Sequence, residues 1–168
     1  MQSYKNYKYW ESYLELEEEV DFDFYFAYGS NLNLRQMGNR CRGSKYISNY
    51  KLEDYQLTFR GVADVIPAPG NLVVGALFSV NGNDLSRLDK YEGYPTLYDR
   101  VYIQDEFFGT IMFYEMQKGK FGFPTKRYFE CIEKGYADCG LPIGKLNEAL
   151  RHTTKQVNRF VASKQKIA

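Results

Sequence analysis

The chain has 168 residues and one histidine, His152. One imidazole excludes a histidine-rich metal site. Any Ser-His-Asp or Cys-His arrangement would have to run through that single position. His152 falls in a C-terminal helical stretch, where a lone histidine reads as a packing or surface residue. Cysteine is also scarce. Cys41, Cys131 and Cys139 show no C-x-x-C spacing and read as reduced thiols of a cytoplasmic protein. Neither sign of charge dominates: 22 basic and 21 acidic side chains leave a formal net charge of +1. That balance gives no footprint for nucleic acid or an anionic membrane, and neither is expected as a partner. No apolar run approaches the roughly 20 residues that span a bilayer. The opening MQSYKNYKYWESYLELEEE lacks the apolar core of a secretory signal. G-x-G-x-x-G, Gly-Lys-Ser/Thr and D-x-D-x-D-G are all missing. The expectation is a protein without nucleotide, redox cofactor or metal.

What is abundant is aromatic: 16 Tyr and 12 Phe help make up 17% of the chain, a density that suits strands. The length suits one domain. We expect a polar arm of unknown role over residues 1–20 and a single domain over 21–168. Phe22, Phe24 and Phe26 alternate with polar neighbours and predict a strand. It closes on Tyr28-Gly29-Ser30-Asn31, with Asn31 as N-cap of a helix from Leu32 to Met37. A second strand runs from Tyr50 to Phe59 and ends at Gly61. Ala63 to Ile66 is short and apolar, and Pro67, Pro69, Gly70 and Asn71 predict a turn. Leu72 to Val80 is a strand. Asn83 reads as the cap of a short helix with Leu85, Leu88 and Tyr91 on one face. Gly93 suits its C-terminus, and Pro95 prevents continuation. Tyr98 to Gln104 and Phe107 to Met116 predict strands joined near Gly109. Thr125 to Ala137 reads as helix, Gly140-Leu-Pro142 interrupts, and Ile143 to Val161 predicts a last helix with Leu146, Leu150 and Val157 inward. Strands fill the middle and helices the end, without regular alternation. That pattern points to an α+β fold with a mixed, mostly antiparallel sheet curled toward a small barrel and flanked by helices.

The remaining chemistry is a carboxylate acting alone beside a backbone anion hole. Tyr28 to Asn31 turns from strand to helix with small residues, exposing N–H groups toward one point. Gly29 offers a ligand access to the backbone and a φ suited to glycine, and Ser30 adds a hydroxyl. The competing reading is that Ser30-Asn31 simply caps a helix. Glu92 is the candidate acid/base. It lies between an apolar helical face and a Gly-Tyr-Pro turn, where Tyr91, Tyr94 and Tyr98 would desolvate it and raise its pKa toward neutrality. The competing reading is a solvated Glu at a helix end.

FYFAYGSNLN, then LDKYEGYP at 88–95, then Tyr98 and a strand, together resemble the gamma-glutamylcyclotransferase-like family. GVADVIPAPGNLVVGALFSV is similar to that family's pair of strands around a Pro-Gly turn, and PTKRYFECIEKGYADCGLP to its C-terminal helix. The resemblance covers roughly residues 22–150. It implies a small mixed barrel flanked by helices and a cofactor-independent enzyme releasing 5-oxoproline from a small γ-glutamyl compound. By resemblance, Tyr28, Gly29, Ser30, Asn31 and Leu32 form the substrate loop, Glu92 is the acid/base, and Tyr98 and Tyr128 line the pocket. The reaction is intramolecular, since the substrate's own amine attacks its γ-carbonyl. It needs no protein nucleophile, which fits the missing Ser-His and Cys-His pairs. Two alternatives stay open: a non-catalytic binder of γ-glutamyl or amino-acid ligands, and an interaction module using the Tyr-rich arm. The leaving amine and the oligomeric state, a homodimer among the options, stay open as well.

Overall fold

The computed structural model describes residues 22–165. The arm over 1–20 lies outside the described residues. The elements are β1 (Phe24–Ala27), a 3-10 turn (Ser30–Leu32), α1 (Leu34–Arg40), β2 (Lys45–Phe59), β3 (Ala63–Ser79), α2 (Gly82–Glu92), β4 (Tyr98–Asp105), β5 (Gly109–Met116), α3 (Lys126–Asp138) and α4 (Ile143–Gln165). The strands form one sheet in the order β2-β3-β1-β5-β4. Only the β1–β5 pairing is parallel. The mixed, mostly antiparallel α+β reading therefore holds. None of the described helices is long and apolar enough to cross a membrane.

The expected barrel is an open sheet, with β2 and β4 as its edges. Closure requires every strand to stagger against the next. The β1–β5 ladder spans only Phe24↔Ile111 and Tyr25↔Met112, too little to carry the edges round into register. Across the seam, the Tyr50 hydroxyl donates to Asp105 Oδ2 at 2.9 Å. A cavity of about 870 Å³ opens there, lined in part by Tyr50, Tyr55, Ile103 and Phe107.

Alternation in β1 suggests one wet face, yet the strand is central and both faces are covered. Phe26 packs edge-on against Tyr50 and Phe113. Tyr25, on the opposite face, packs against Phe78 and Tyr114.

The Pro-Gly stretch is a bulge, not the turn between strands. The β2–β3 hairpin turns instead at Gly61, where φ is 80°, and Arg60 N–H donates to Val62 O at 2.9 Å. Pairing jumps from Tyr55↔Pro67 to Glu53↔Leu72, so residues 68–71 loop out opposite Asp54. Pro67 and Pro69 bring no N–H to a ladder, which makes the excursion cheap. Gly70 N–H donates to Asp54 Oδ1 at 2.8 Å and anchors it.

Two caps also differ from expectation. The inserted 3-10 turn delays α1, so Asn33 rather than Asn31 is its N-cap, accepting from Gln36 N–H at 3.0 Å. Asn81, not Asn83, caps α2, accepting from Asp84 N–H at 2.9 Å. Gly93 ends α2 with φ 70°, and Tyr94 N–H reaches back to Asp89 O. Thr125 caps α3. In α4, Leu146, Ala149 and Thr153 are buried, while Leu150 and Val157 are half-buried. His152 packs, its Nδ1 3.1 Å from the Thr58 hydroxyl.

Helix α3 rests directly on the 3-10 turn through Gly135. A Cβ at that position would stand 2.6 Å from Leu32 Cβ and 2.7 Å from Asn33 N. Gly135→Ala should therefore cost about 1–3 kcal/mol of stability by overpacking, read as a lowered Tm. Gly144→Ala, which meets nothing within 4 Å, should leave Tm unchanged or raised.

Candidate active site

Tyr28 to Asn31 leaves the end of β1 and is buried along its length, with Asn31 2% exposed. Gly29 has φ −120°, so the expected need for a glycine-only φ is corrected. Space is the reason: an added Cβ would lie 3.1 Å from Ala63 Cβ and 3.5 Å from the Tyr128 hydroxyl. Leu32 N–H is spent on Gly29 O at 3.0 Å, and Asn33 N–H on Ser30 O at 3.1 Å. The N–H groups of Ser30 and Asn31, as in any first turn, have no such partner within it.

Asn31 caps nothing. Its Nδ2 donates to Tyr25 OH at 2.8 Å and to Glu92 Oε1 at 2.9 Å. Its Oδ1 accepts from Arg40 Nη1. The carboxamide thus ties the turn to the end of α2, 61 residues on. That end is braced one turn earlier. Asp89 accepts from Arg100 Nε at 3.0 Å and from the Tyr114 hydroxyl at 2.7 Å.

A cavity of about 20 Å³ sits between these elements, lined by Glu92, Tyr28, Gly29, Ser30, Asn31, Tyr98 and Tyr128, with Tyr25, Ala63 and Tyr114 completing the wall. That volume is about one water's. Tyr28 OH donates to Tyr114 O at 2.6 Å, and Tyr98 OH donates to Ala63 O at 2.5 Å. Tyr128 OH accepts from Ala63 N–H at 3.2 Å, which leaves its own proton for the cavity side. Burial pushes the hydroxyl pKa of all four, Tyr25 included, well above the usual range, so they stay neutral.

Burial also pushes the Glu92 carboxyl up from 4.5 to about 7, against the opposing pull of the Arg40 charge and the Asn31 hydrogen bond. The desolvating wall is not quite the expected one. Tyr98 belongs to it. Tyr91 is 46% exposed, with its hydroxyl 3.0 Å from Ser30 Oγ, and Tyr94 stacks under Arg100 at 4.7 Å. In their place stand Tyr25, Tyr28, Tyr114 and Tyr128.

Of the residues expected at the site, all but Leu32 line this cavity. Leu32 is fully buried in the core, its N–H turned to Gly29. Sequence reasoning missed Tyr25, Ala63, Tyr114 and Arg40. Tyr25 was legible only through the buried second face of β1. Cys41, Cys131 and Cys139 are free thiols outside the cavity lining, with Cys131 Sγ 3.9 Å from Ser30 O. Among the described residues no group of three or more His, Cys, Asp or Glu is placed to hold a metal ion.

A family model described as gamma-glutamyl cyclotransferase, AIG2-like, matches residues 25–129, a span holding every residue of the cavity wall. The gamma-glutamylcyclotransferase of Bos taurus is 30% identical over 136 residues, 71% of this chain and 72% of that protein. The Homo sapiens gamma-glutamylcyclotransferase is 28% identical over the same shares. A solved gamma-glutamyl cyclotransferase structure superposes with TM-score 0.63 at 24% identity, over 75% of this chain and 85% of that one. YkqA from Bacillus subtilis gives TM-score 0.64 at 20% identity, over 88% of this chain and 60% of that one. At those identities the two structures speak for the fold.

The raised carboxyl has a consequence for stability. Below pH 4.5, Glu92 is protonated whether folded or not, and its contribution is fully present. Between 4.5 and about 7 the unfolded chain ionises first, and the contribution is lost as pH rises through the folded value. The loss is at most on the order of 3 kcal/mol, since the residue is half-buried. Glu92→Gln should therefore gain in Tm relative to wild type at pH 8 and gain little at pH 5. Equal differences at both pH values would contradict a desolvated Glu92.

Proposed function

The chain belongs to the gamma-glutamyl cyclotransferase, AIG2-like family, an enzyme family, and from that premise we propose that it releases 5-oxoproline and a free amine or amino acid from a γ-glutamyl compound, with Glu92 as the single general acid/base. The observation that carries the reading is the Glu92 carboxyl, held near neutrality by burial and tied through Asn31 to the 28–31 turn.

The substrate's α-amine attacks its own γ-carbonyl carbon. A ring C–N bond forms, and the bond to the leaving amine breaks. Glu92 takes a proton from the α-ammonium and gives it to the departing nitrogen. The second proton that the ring nitrogen sheds on becoming an amide ends on the released amine as its ammonium, so no net proton is gained or lost. A carboxyl titrating near the working pH suits both halves of that task. Holding amine and carbonyl in one cavity supplies much of the acceleration. The N–H groups of Ser30 and Asn31 offer donors for the carbonyl oxygen as it gains charge, or for the substrate's α-carboxylate. Neutral tyrosines keep competing charge away from Glu92.

The cavity is too small for a glutamyl group as it stands, so entry requires a wall to move. Tyr91 lies outside the lining and is exposed, and its hydroxyl meets that of Ser30 at 3.0 Å, so its movement would open the turn.

The test is a panel of γ-glutamyl amino acids, dipeptides and amines, with 5-oxoproline as the readout. Glu92→Gln should keep its far-UV spectrum and lose turnover by ~10²–10⁴-fold. Ser30→Ala should lose less, about 1–3 kcal/mol in the barrier, because backbone donors remain. A folded Glu92→Gln protein with near-wild-type turnover would remove Glu92 from the mechanism.

A further inference from the structure

Arg40 ends α1, and its guanidinium serves two sides of the cavity at once. Nη1 donates to Asn31 Oδ1. The same group lies over the Tyr91 ring, 3.2 Å from its centre, and Tyr91 in turn meets the Ser30 hydroxyl at 3.0 Å. Arg40 is itself half-buried, and Met37, one turn back, is fully buried and fixes the helix against the core.

A carboxamide has two orientations of nearly equal shape, and hydrogen bonding decides between them. Arginine has only donors, so it can bond only the Asn31 oxygen. That contact turns Nδ2 toward Tyr25 and Glu92. The opposite orientation would set a carbonyl against the Glu92 carboxylate and an NH₂ against the guanidinium. With Nδ2 on Oε1, the second Glu92 oxygen remains for the reacting nitrogens.

We propose that Arg40 is a positioning residue of the cyclotransferase reaction, which orients Glu92 through Asn31 and holds Tyr91 closed over Ser30. The inference rests on the acid/base reading of Glu92. It adds a charge effect that can be read separately. The groups facing Glu92 are Asn31 from the 3-10 turn, Tyr25 from β1, Tyr28 just past its end, Tyr98 from β4, Tyr114 from β5, Tyr128 from α3 and Arg40 from α1. The tyrosines are neutral across the working range, so among these groups Arg40 carries the charge. Its removal lets burial push the Glu92 carboxyl higher still.

The experiment compares Arg40→Met and Arg40→Lys with wild type, after Tm confirms that each is folded. Arg40→Met should lower kcat/KM for a γ-glutamyl substrate roughly 10- to 100-fold, the scale of a misplaced catalytic group. Its acid limb should move to higher pH. Arg40→Lys keeps the charge but loses the planar fork. It should hold the limb near its wild-type position while recovering only part of kcat/KM. The Glu92 carboxyl is titrated in parallel by ¹³C NMR, a readout that needs no turnover and so separates failure of this inference from failure of the assigned reaction. An upward-moved Glu92 titration in Arg40→Met but not in Arg40→Lys supports the role. An unmoved titration in folded Arg40→Met, or kcat/KM within twofold of wild type, overturns it.

Discussion

Taking one carboxylate out of water is the constraint around which this molecule is arranged. An ionised carboxyl in an apolar wall is costly unless it is hydrogen-bonded or paired. Glu92 receives enough of both to stay ionisable and too little to stay a common acid. Burial raises its pKa, while Asn31 and Arg40 lower it. The balance lies near neutral pH, where one group can take a proton and give it back. Full pairing would leave a permanent anion, and full desolvation a permanent acid.

The scaffold supplies that balance from distant parts of the chain. Central strand β1 delivers Tyr25 and, just past its end, Tyr28, before the chain enters the 3-10 turn. The Ala63 backbone holds two tyrosines at once, accepting from Tyr98 and donating to Tyr128. Asp89, gripped by Arg100 and Tyr114, fixes the last turn of α2 and hence the approach of Glu92. Gly135 lets α3 close directly on the turn. Each contact joins residues far apart in sequence, so the site depends on the assembled fold and not on any local motif.

That dependence explains what could be read from the sequence. Local chemistry was legible. The β4–β5 hairpin, the Thr125 start of α3, the left-handed Gly93 and the candidacy of Glu92 all follow from short-range pattern. The Pro-Gly bulge was not, because proline and glycine mark an interruption without saying whether the chain turns back or resumes the same strand. The Asn31 cap failed for a related reason. A carboxamide beside a helix start caps by default, unless a stronger partner exists elsewhere, and here the partners are Tyr25, Glu92 and Arg40. The second face of β1 was hidden because its parallel neighbour β5 lies far along the chain. Likewise the openness of the sheet is a matter of stagger between strands, which periodicity within one strand cannot report.

The central claim is that the Glu92 carboxyl is desolvated and titrates near neutral pH. It is tested most directly by ¹³C NMR of protein labelled at glutamate side-chain carboxyls, followed from pH 4 to pH 9. One resonance, missing from Glu92→Gln, should titrate with a midpoint of about 7 while exposed glutamates titrate near their ordinary value of roughly 4.3. A Glu92 resonance titrating with the others would contradict the account.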